Sequence, residues 1–307
     1  MSALRLGTRG SALALAQSTQ VAEALTAATG ERVELVEIVT EGDKSSRPVQ
    51  HLGVGVFVSA LREALYAKEI DFAVHSYKDL PTAPPDALAL AAVPLRDDCR
   101  DALITIDGRT LADLGPGSRI GTGAPRRTAQ LNALGRDFIP VPLRGNVDTR
   151  LRKLAEGQFD AVVLAAAGLR RLGRASEITE LLDPLVMLPA PAQGALAIEC
   201  RSADTDLVEL LASLDDEHTR AAVTAERSLL STLEAGCSAP VAALADIAES
   251  EDGGHEIYLR GAVFSPDGTF ALRLSGSGTI TEATEVGKRL AAELLAEGAD
   301  HILGAPG

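Results

Sequence analysis

The chain has 307 residues, of which 46% are hydrophobic and 3% aromatic, and its net charge is −14. This length allows two or three domains, whereas the excess of acidic residues argues against general binding to nucleic acid. No run reaches the roughly 18 apolar residues of a membrane helix, and the N-terminal residues do not have the layout of a signal peptide. The three cysteines and five histidines match no disulfide framework and no metal-binding spacing. We therefore expect a cytoplasmic protein with no membrane partner and no metal.

In chain order, the N-terminal part alternates between strand and helix patterns. Short apolar runs predict strands, and apolar residues at helical spacing predict helices, the first of them with Ser11 as N-cap. Residues 40–55 are rich in Gly, Ser and charge and predict a long loop. The predicted elements are strand 4–9, helix 11–28, strand 33–39, helix 56–69 and strand 70–76.

The alternation restarts after about residue 96, and the last third of the chain has a different pattern. An SPDG turn inside residues 256–276 predicts a hairpin near the C-terminus. The other predicted elements are strands 101–106, 119–124, 138–143, 160–169 and 195–200, and helices 125–134, 146–157, 218–234 and 281–298. Alternating strands and helices imply mostly parallel sheets covered on both faces. The sequence therefore predicts two α/β units followed by a smaller α+β unit.

The positive charge is concentrated in one segment. Residues 119–174 contain eleven Arg or Lys and four Asp or Glu, so this segment carries +7 and the rest of the chain −21. A solvated basic face and a binding site for a polyanion explain this count equally well. Three basic clusters, at Arg126–Arg127, Arg144–Arg150 and Arg170–Arg171, follow predicted strands. Ligands of open parallel sheets bind at the carboxyl ends of the strands, so the three clusters together favour an anion site.

Two further features point to chemistry. Arg9 ends the first strand, and Lys78 and Asp79 follow the strand that ends at Ser76. Asp79 is equally well explained as a helix cap or a salt bridge to Lys78, or as a carboxylate that stabilises a developing cation. Cys237 lies on a turn of small residues rather than inside an apolar element. These features fit an enzyme that acts on a polycarboxylate or phosphate, and they also fit a two-lobed binding protein for an organic anion.

Seven segments in order resemble the porphobilinogen deaminase family, also called the hydroxymethylbilane synthase family. They are "TRGSALALAQ", "AVHSYKDLPT", "GTGAPRRTAQL", "LRGNVDTRLRKL", "AAAGLRRLG", "LPAPAQGALAIEC" and "LEAGCSAPV". The resemblance implies two α/β domains similar to the lobes of periplasmic binding proteins, with mostly parallel sheets, and a smaller α+β C-terminal domain. The implied boundaries are 1–95 with 194–215 for domain 1, 96–193 for domain 2 and 216–307 for domain 3.

The resemblance also implies an activity and a cofactor. Members of this family are transferases of haem and tetrapyrrole biosynthesis that join four porphobilinogen molecules head to tail, release four ammonia and yield 1-hydroxymethylbilane. The implied cofactor is a dipyrromethane linked through a thioether to Cys237, and the implied catalytic residue is Asp79. We expect a monomer whose partner is the small molecule porphobilinogen. The alternative is a non-enzymatic two-lobed protein that binds an organic anion.

The resemblance carries over further site residues one by one. For cofactor binding, besides Cys237, they are Ser76, Lys78, Thr122, Arg126, Arg127, Arg144, Gly145, Asn146 and Gln193. For substrate binding they are Arg9, Ser11, Gln17, Arg150 and Arg171. The chain departs from the family at Gly123-Ala124-Pro125, where many members have Ser-Ser-Leu, and in the 41–56 loop, which lacks lysines that many relatives have.

Overall fold

The computed structural model describes residues 3–38, 56–83, 85–235, 239–250 and 253–303. The loop predicted for 40–55 lies outside these residues, and so does Cys237. No helix in the described stretches is long and apolar enough to span a membrane. In the same stretches, no three or more His, Cys, Asp or Glu side chains are grouped so that they could hold a metal ion.

The described strands and helices follow the predicted alternation. The strands are β1 (Leu4–Thr8), β2 (Val33–Glu37), β3 (Phe72–Ser76), β4 (Leu88–Ala92), β5 (Asp101–Ile104), β6 (Arg119–Thr122), β7 (Ile139–Pro142), β8 (Ala161–Ala165), β9 (Glu180–Leu181), β10 (Leu196–Arg201), β11 (Val241–Glu249), β12 (His255–Phe264) and β13 (Ala271–Thr279). The helices are α1 (Ala12–Thr29), α2 (Val56–Tyr66), α3 (Pro125–Ala133), α4 (Val147–Ala155), α5 (Ala166–Arg171), α6 (Thr205–Ala212), α7 (Glu217–Thr232), α8 (Ala283–Ala296) and α9 (Ala299–Leu303). Short 3-10 helices lie at Tyr77–Asp79, Ala175–Glu177 and Ile280–Glu282.

The chain forms two compact units, each assembled from two stretches of sequence. The first is Met1–Asp97 with Ala195–Arg220, and the second is Asp98–Gly194 with Ala221–Gly307. The arginine-rich segment and the C-terminal segment therefore belong to the same unit. The division into three domains stays a prediction.

The first unit is built on a sheet with the strand order β2-β1-β3-β10-β4. β1 is parallel to β2 and β3, whereas β10 is antiparallel to β3 and β4. Leu25 of α1 and Phe72 of β3 belong to one buried cluster, and Leu61 of α2 and Ala73 of β3 belong to another. Because neighbouring residues of a strand point to opposite faces, both faces of this sheet are covered, as predicted for a mostly parallel sheet.

The second unit contains a sheet of the same design, with the order β7-β6-β8-β5-β9. β6 is parallel to β7 and β8, and β5 is antiparallel to β8 and β9. Each of the two sheets thus has its fourth strand reversed relative to the others. The predicted fold class, α/β with mostly parallel sheets, is confirmed for both.

The C-terminal part of the second unit is a three-stranded antiparallel sheet in the order β11-β12-β13. One buried cluster joins this sheet to α7 and α8. At one end of the sheet, Ala242, Leu244 and Phe264 pack with Ala129 of α3 and with Leu188. The predicted hairpin is confirmed: Phe264 pairs with Ala271, across the turn that starts at Ser265. This part therefore has the predicted α+β character.

One predicted element is wrong in part. The strand predicted for 160–169 ends at Ala165, and helix α5 begins at Ala166. Alanine is the strongest helix former, and the run of three alanines continues the apolar pattern of the strand into the helix. The prediction also missed strands β4, β9 and β11 and helices α6 and α9.

Candidate active site

Three arginine-bearing segments of the second unit lie at one edge of its sheet. β6, β7 and β8 are parallel neighbours, so their carboxyl ends meet at the same edge. Arg126 and Arg127 lie in the first turn of α3, directly after β6. The turn after β7 carries Arg144 and leads into α4. One placement must be corrected: Arg171 lies in the last turn of α5 and not at the end of a strand, because the chain becomes helical at Ala166.

Arg126 and Arg127 are buried and share one carboxylate. They are 4% and 5% exposed, and Asp101 at the start of β5 is 0% exposed. Arg126 Nη1 donates to Asp101 Oδ2 at 2.8 Å, and Arg127 Nη2 donates to Asp101 Oδ1 at 2.7 Å. The guanidinium groups also donate to the carbonyl oxygens of Leu188 and Val163. The anion beside these two arginines is therefore, in the first place, a carboxylate of the chain itself.

The charge of this cluster is only partly balanced. Burial alone would raise the pKa of Asp101, but Arg126 and Arg127 beside it hold that pKa well below its usual range. Burial lowers the pKa of Arg126, and Asp101 opposes this effect. In the part of the chain that the structure describes, Asp101 is the carboxylate paired with both guanidinium groups, so the cluster carries one surplus positive charge. A buried surplus charge is costly unless an anion compensates it.

Gln193 joins this cluster from a different segment. The side chain is 0% exposed, and Nε2 donates at 2.8 Å both to Asp101 Oδ1 and to the carbonyl oxygen of Cys99. Thr122, the last residue of β6, is 2% exposed, and its hydroxyl accepts from the backbone N–H of Ala124. Both predicted cofactor-binding residues therefore lie beside the arginine pair.

The turn between β7 and α4 is more open. Arg144 and Asn146 are exposed. Asn146 is the N-cap of α4, and its side chain accepts from the backbone N–H of Thr149 at 2.9 Å. Gly145 has a φ of 111° and accepts from Arg150 Nε at 2.7 Å. A Cβ at Gly145 would lie 2.7 Å from Thr149 Cγ2, so this tight turn requires glycine.

Arg171, the last residue of α5, is bonded to the backbone of the same unit. Its Nη2 donates to the carbonyl oxygen of Gly194 at 2.7 Å. Gly194 follows Gln193, whose side chain donates to Asp101, the carboxylate shared by the arginine pair. Arg171, Gln193 and the pair are thus brought together through one short segment of backbone.

The first unit gathers its own set of predicted residues. β1 and β3 are parallel neighbours, so Arg9 after β1 and the 3-10 turn after β3 lie at the same edge. Gln17 Nε2 donates to Ser76 Oγ at 2.9 Å. Asp79 is exposed in that 3-10 turn.

Two predicted residues of this first set are described by their position relative to residues close to them in the sequence. Ser11 is the N-cap of α1 and accepts from the backbone N–H of Ala14 at 3.3 Å. Lys78 lies next to Asp79 in the turn and is half-buried. The structure thus collects these residues at the carboxyl edge of the first sheet.

Two family models match the chain. "Porphobilinogen deaminase, dipyromethane cofactor binding domain" matches residues 4–209, and "Porphobilinogen deaminase, C-terminal domain" matches residues 220–296. The chain belongs to the porphobilinogen deaminase family. Porphobilinogen deaminase of Nocardia farcinica is 57% identical over 304 residues, which cover 98% of this chain and 88% of that protein. Porphobilinogen deaminase of Mycobacterium tuberculosis is 56% identical over 98% of both chains. This membership does not favour the alternative of a non-enzymatic binder.

Solved structures of binding proteins are more distant. The crystal structure of the methionine binding protein MetQ aligns with a TM-score of 0.45 and 14% identity, over 69% of this chain and 89% of that one. A periplasmic substrate-binding protein from Coxiella burnetii aligns with a TM-score of 0.43 and 14% identity, over 69% and 91% of the two chains. Similarity at this level supports no statement about ligands.

The departure from the porphobilinogen deaminase family at Gly123 has a visible counterpart. A Cβ at Gly123 would lie 2.7 Å from the backbone oxygen of Leu143. The backbone N–H of Leu143 donates in turn to the carbonyl oxygen of Thr122 at 2.9 Å. The segments after β6 and β7 therefore approach each other more closely than a side chain at position 123 allows.

Asp101 was not among the site residues predicted from the sequence. This residue is the acid that holds the arginine pair, and it lies 25 residues before Arg126 in the chain. Two signals were available: an acidic residue opens an otherwise apolar strand, and two arginines occupy a first helical turn, where acidic residues are preferred. Only the order of the strands, with β5 next to β8, reveals that these residues meet.

Proposed function

We propose that the protein is a hydroxymethylbilane synthase, a transferase that joins four porphobilinogen molecules head to tail with release of four ammonia. It then releases the product, 1-hydroxymethylbilane, by hydrolysis. The observation that carries the proposal is the match of the cofactor-binding domain of the porphobilinogen deaminase family to residues 4–209. This range contains Asp79 and every arginine assigned to the site. We further propose that the protein acts as a monomer in the cytoplasm.

The cofactor in this proposal is a dipyrromethane held by a thioether bond to the sulfur of Cys237. When bound, it supplies the pyrrole carbon to which the first porphobilinogen is joined. The donor set fits such a group, because each pyrrole carries an acetate and a propionate and the buried arginine pair has one surplus positive charge. Arg126 and Arg127 would hold its carboxylates together with the exposed Arg144, and Gln193 and Thr122 would line the same place.

The remaining residues assigned to the cofactor are polar groups at the carboxyl edge of each sheet. In the second unit, the turn Gly145–Asn146 offers polar groups at a helix N-terminus, where anions are favoured. In the first unit, Ser76 and Lys78 supply a hydroxyl and an ammonium group. For the substrate, the assigned residues are Arg9, Ser11, Gln17, Arg150 and Arg171. Guanidinium groups suit this task because they bind carboxylates through two parallel hydrogen bonds.

Asp79 is the proposed catalytic residue. Porphobilinogen loses its amine as ammonia, and positive charge develops on the pyrrole ring as it leaves. A carboxylate placed near the pyrrole nitrogen stabilises that charge. Asp79 is exposed at the carboxyl edge of the first sheet, where a ligand can reach it. Lys78 beside it offers a cation for cofactor carboxylates.

Intact-protein mass spectrometry tests this proposal. We expect the purified protein to carry the added mass of two linked pyrroles and to convert porphobilinogen to hydroxymethylbilane. Cys237→Ser should lose the added mass, whereas the matched variant Cys99→Ser should keep it. An active wild-type protein without the added mass would contradict the covalent cofactor, and a protein that does not consume porphobilinogen would contradict the activity.

A further inference from the structure

A chain of buried hydrogen bonds connects helix α7 to the arginine pair. It starts at Glu226 in α7, which is 0% exposed. Glu226 Oε2 accepts from the backbone N–H of Ala192 at 2.6 Å, and Oε1 accepts from that of Ala245 at 2.9 Å. The residue after Ala192 is Gln193, whose side chain donates to Asp101. All of these residues belong to the second unit.

The backbone at Ala192 is held in an unfavourable conformation. Its φ is 60°, in the left-handed region that residues with a Cβ rarely adopt. A non-glycine residue stays in such a conformation only when its surroundings fix it. The bond from Ala192 to the buried Glu226 is one such constraint, and it sets the direction in which the chain enters Gln193.

We propose that Glu226 is a positioning residue for the cofactor site. Through Ala192 and Gln193 it fixes Asp101, and Asp101 orients the two guanidinium groups that bind cofactor carboxylates. In the sequence, Cys237 lies five residues beyond the end of α7. The helix that leads to the proposed attachment point is thereby connected to the arginines that receive the cofactor. This inference rests on the proposed function, because it assigns a role in cofactor binding.

The test compares Glu226→Gln with wild-type protein in three measurements: the fraction of molecules that carry the cofactor mass, KM for porphobilinogen, and Tm. Glutamine keeps the size of the side chain but places an NH2 group opposite a backbone N–H. We expect the loaded fraction to fall and KM to rise by roughly 2- to 30-fold, the range found for coupled positions, with a smaller change in kcat per cofactor-loaded molecule. Glu226→Asp, which keeps the charge but withdraws the carboxylate, replaces this variant if it does not fold.

Rescue by Ala192→Gly separates positioning from general stability. Glycine adopts a φ of 60° without steric cost, so it reduces the need for the bond to Glu226. We expect the double variant Glu226→Gln/Ala192→Gly to recover the loaded fraction and KM. Gln193→Leu, which removes the last link, should lower loading as Glu226→Gln does, and combining the two should cause no further loss.

Val286→Ala is the matched control, because Val286 is 1% exposed in the core between α8 and the C-terminal sheet and has no part in this chain of bonds. It should lower Tm and leave loading and KM unchanged. If Glu226→Gln behaves like this control, or if losses from Glu226→Gln and Gln193→Leu multiply, the positioning role is wrong. A wild-type protein without cofactor or activity would instead contradict the proposed function, whatever the variants do.

Discussion

Each unit buries a carboxylate that pairs with arginine, and the carboxylate lies on the corresponding strand of each sheet. The two carboxylates differ in their position along that strand. In the first unit, Glu199 lies on β10, and in the second, Asp101 lies on β5. Both strands are fourth in their sheet and run antiparallel to their neighbours. Glu199 pairs with Ala73, near the amino end of β3, whereas Asp101 pairs with Ala165 at the carboxyl end of β8. Only Asp101 is therefore at the edge where ligands bind.

The two carboxylates also differ in the number of arginines that they bind. Glu199 accepts from Arg62 at 2.7 Å, and His75 Nε2 lies 3.1 Å from its other oxygen, so one arginine balances one carboxylate. Asp101 is shared by two arginines. The first arrangement fastens α2 and two strands together. The second arrangement has one more positive charge than negative charge at the carboxyl edge of the sheet. A site that binds carboxylates requires such a surplus of positive charge.

The largest expected effect follows from removing the shared carboxylate. Asp101→Asn leaves two buried guanidinium groups without a counter-charge, and breaking a buried pair in this way costs about 3–5 kcal/mol. Denaturant unfolding should show this loss together with a lower fraction of cofactor-loaded protein. The exposed Arg144 supplies the contrast, since Arg144→Leu should weaken ligand binding without changing the free energy of unfolding. Equal stability of Asp101→Asn and wild type would show that the cluster is not a coupled ion pair.

Asp79→Asn should affect the chemistry and not the fold. Asp79 is exposed, so its replacement leaves no buried group without a partner. Loss of one group that stabilises transition-state charge typically lowers kcat by about 100- to 1,000-fold. Steady-state assays with porphobilinogen should show this loss at unchanged Tm. Asp86→Asn, at another exposed aspartate of the same unit, is the control and should have the turnover of wild type. Near-normal kcat for Asp79→Asn would remove Asp79 from the proposed mechanism.

Glu199 gives the first unit a stability that depends on pH. Burial raises the pKa of Glu199, but His75 and Arg62 beside it lower that pKa by a larger amount. The net effect is a pKa lowered from 4.5 to about 2. Because the folded-state pKa lies below the unfolded one, this stabilisation is present above pH about 4.5 and is lost as the pH falls towards 2. The depressed pKa corresponds to about 3 kcal/mol. Denaturant unfolding at pH 7 and pH 3 should show the loss in wild type and a much smaller one in Glu199→Gln.

The sequence predicted mostly parallel sheets in both α/β units and the edge at which the basic segments meet. It succeeded there because the spacing of apolar residues reports the period of strands and helices. It failed at α5, because the alanines of Ala165–Ala167 fit the apolar pattern of a buried strand and of a helix equally well. The spacing of apolar residues therefore does not show where the strand ends and the helix begins. Arg171 was misplaced for the same reason.

The electrostatic state of the site could not be predicted from the sequence. Arg126 and Arg127 were predicted to belong to an anion site, but which anion lies beside them depends on what the fold brings close. Here that is Asp101 of β5, brought close by a strand order that no local pattern encodes. The burial of Glu226 was hidden in the same way, because a glutamate on a helix normally faces water.

The smallest expected effect concerns Gly123, directly after β6. Serine at this position would place its Cβ 2.7 Å from the backbone oxygen of Leu143, and backbone cannot move aside as a flexible side chain can. Overpacking of this kind costs about 1–3 kcal/mol, so Gly123→Ser should lower the free energy of unfolding. Gly115→Ser is the matched control, since a Cβ at Gly115 meets nothing within 4 Å. Equal stability of the two variants would mean that the segments after β6 and β7 can separate, and that the close approach is not needed to hold Arg126 and Arg127 in place.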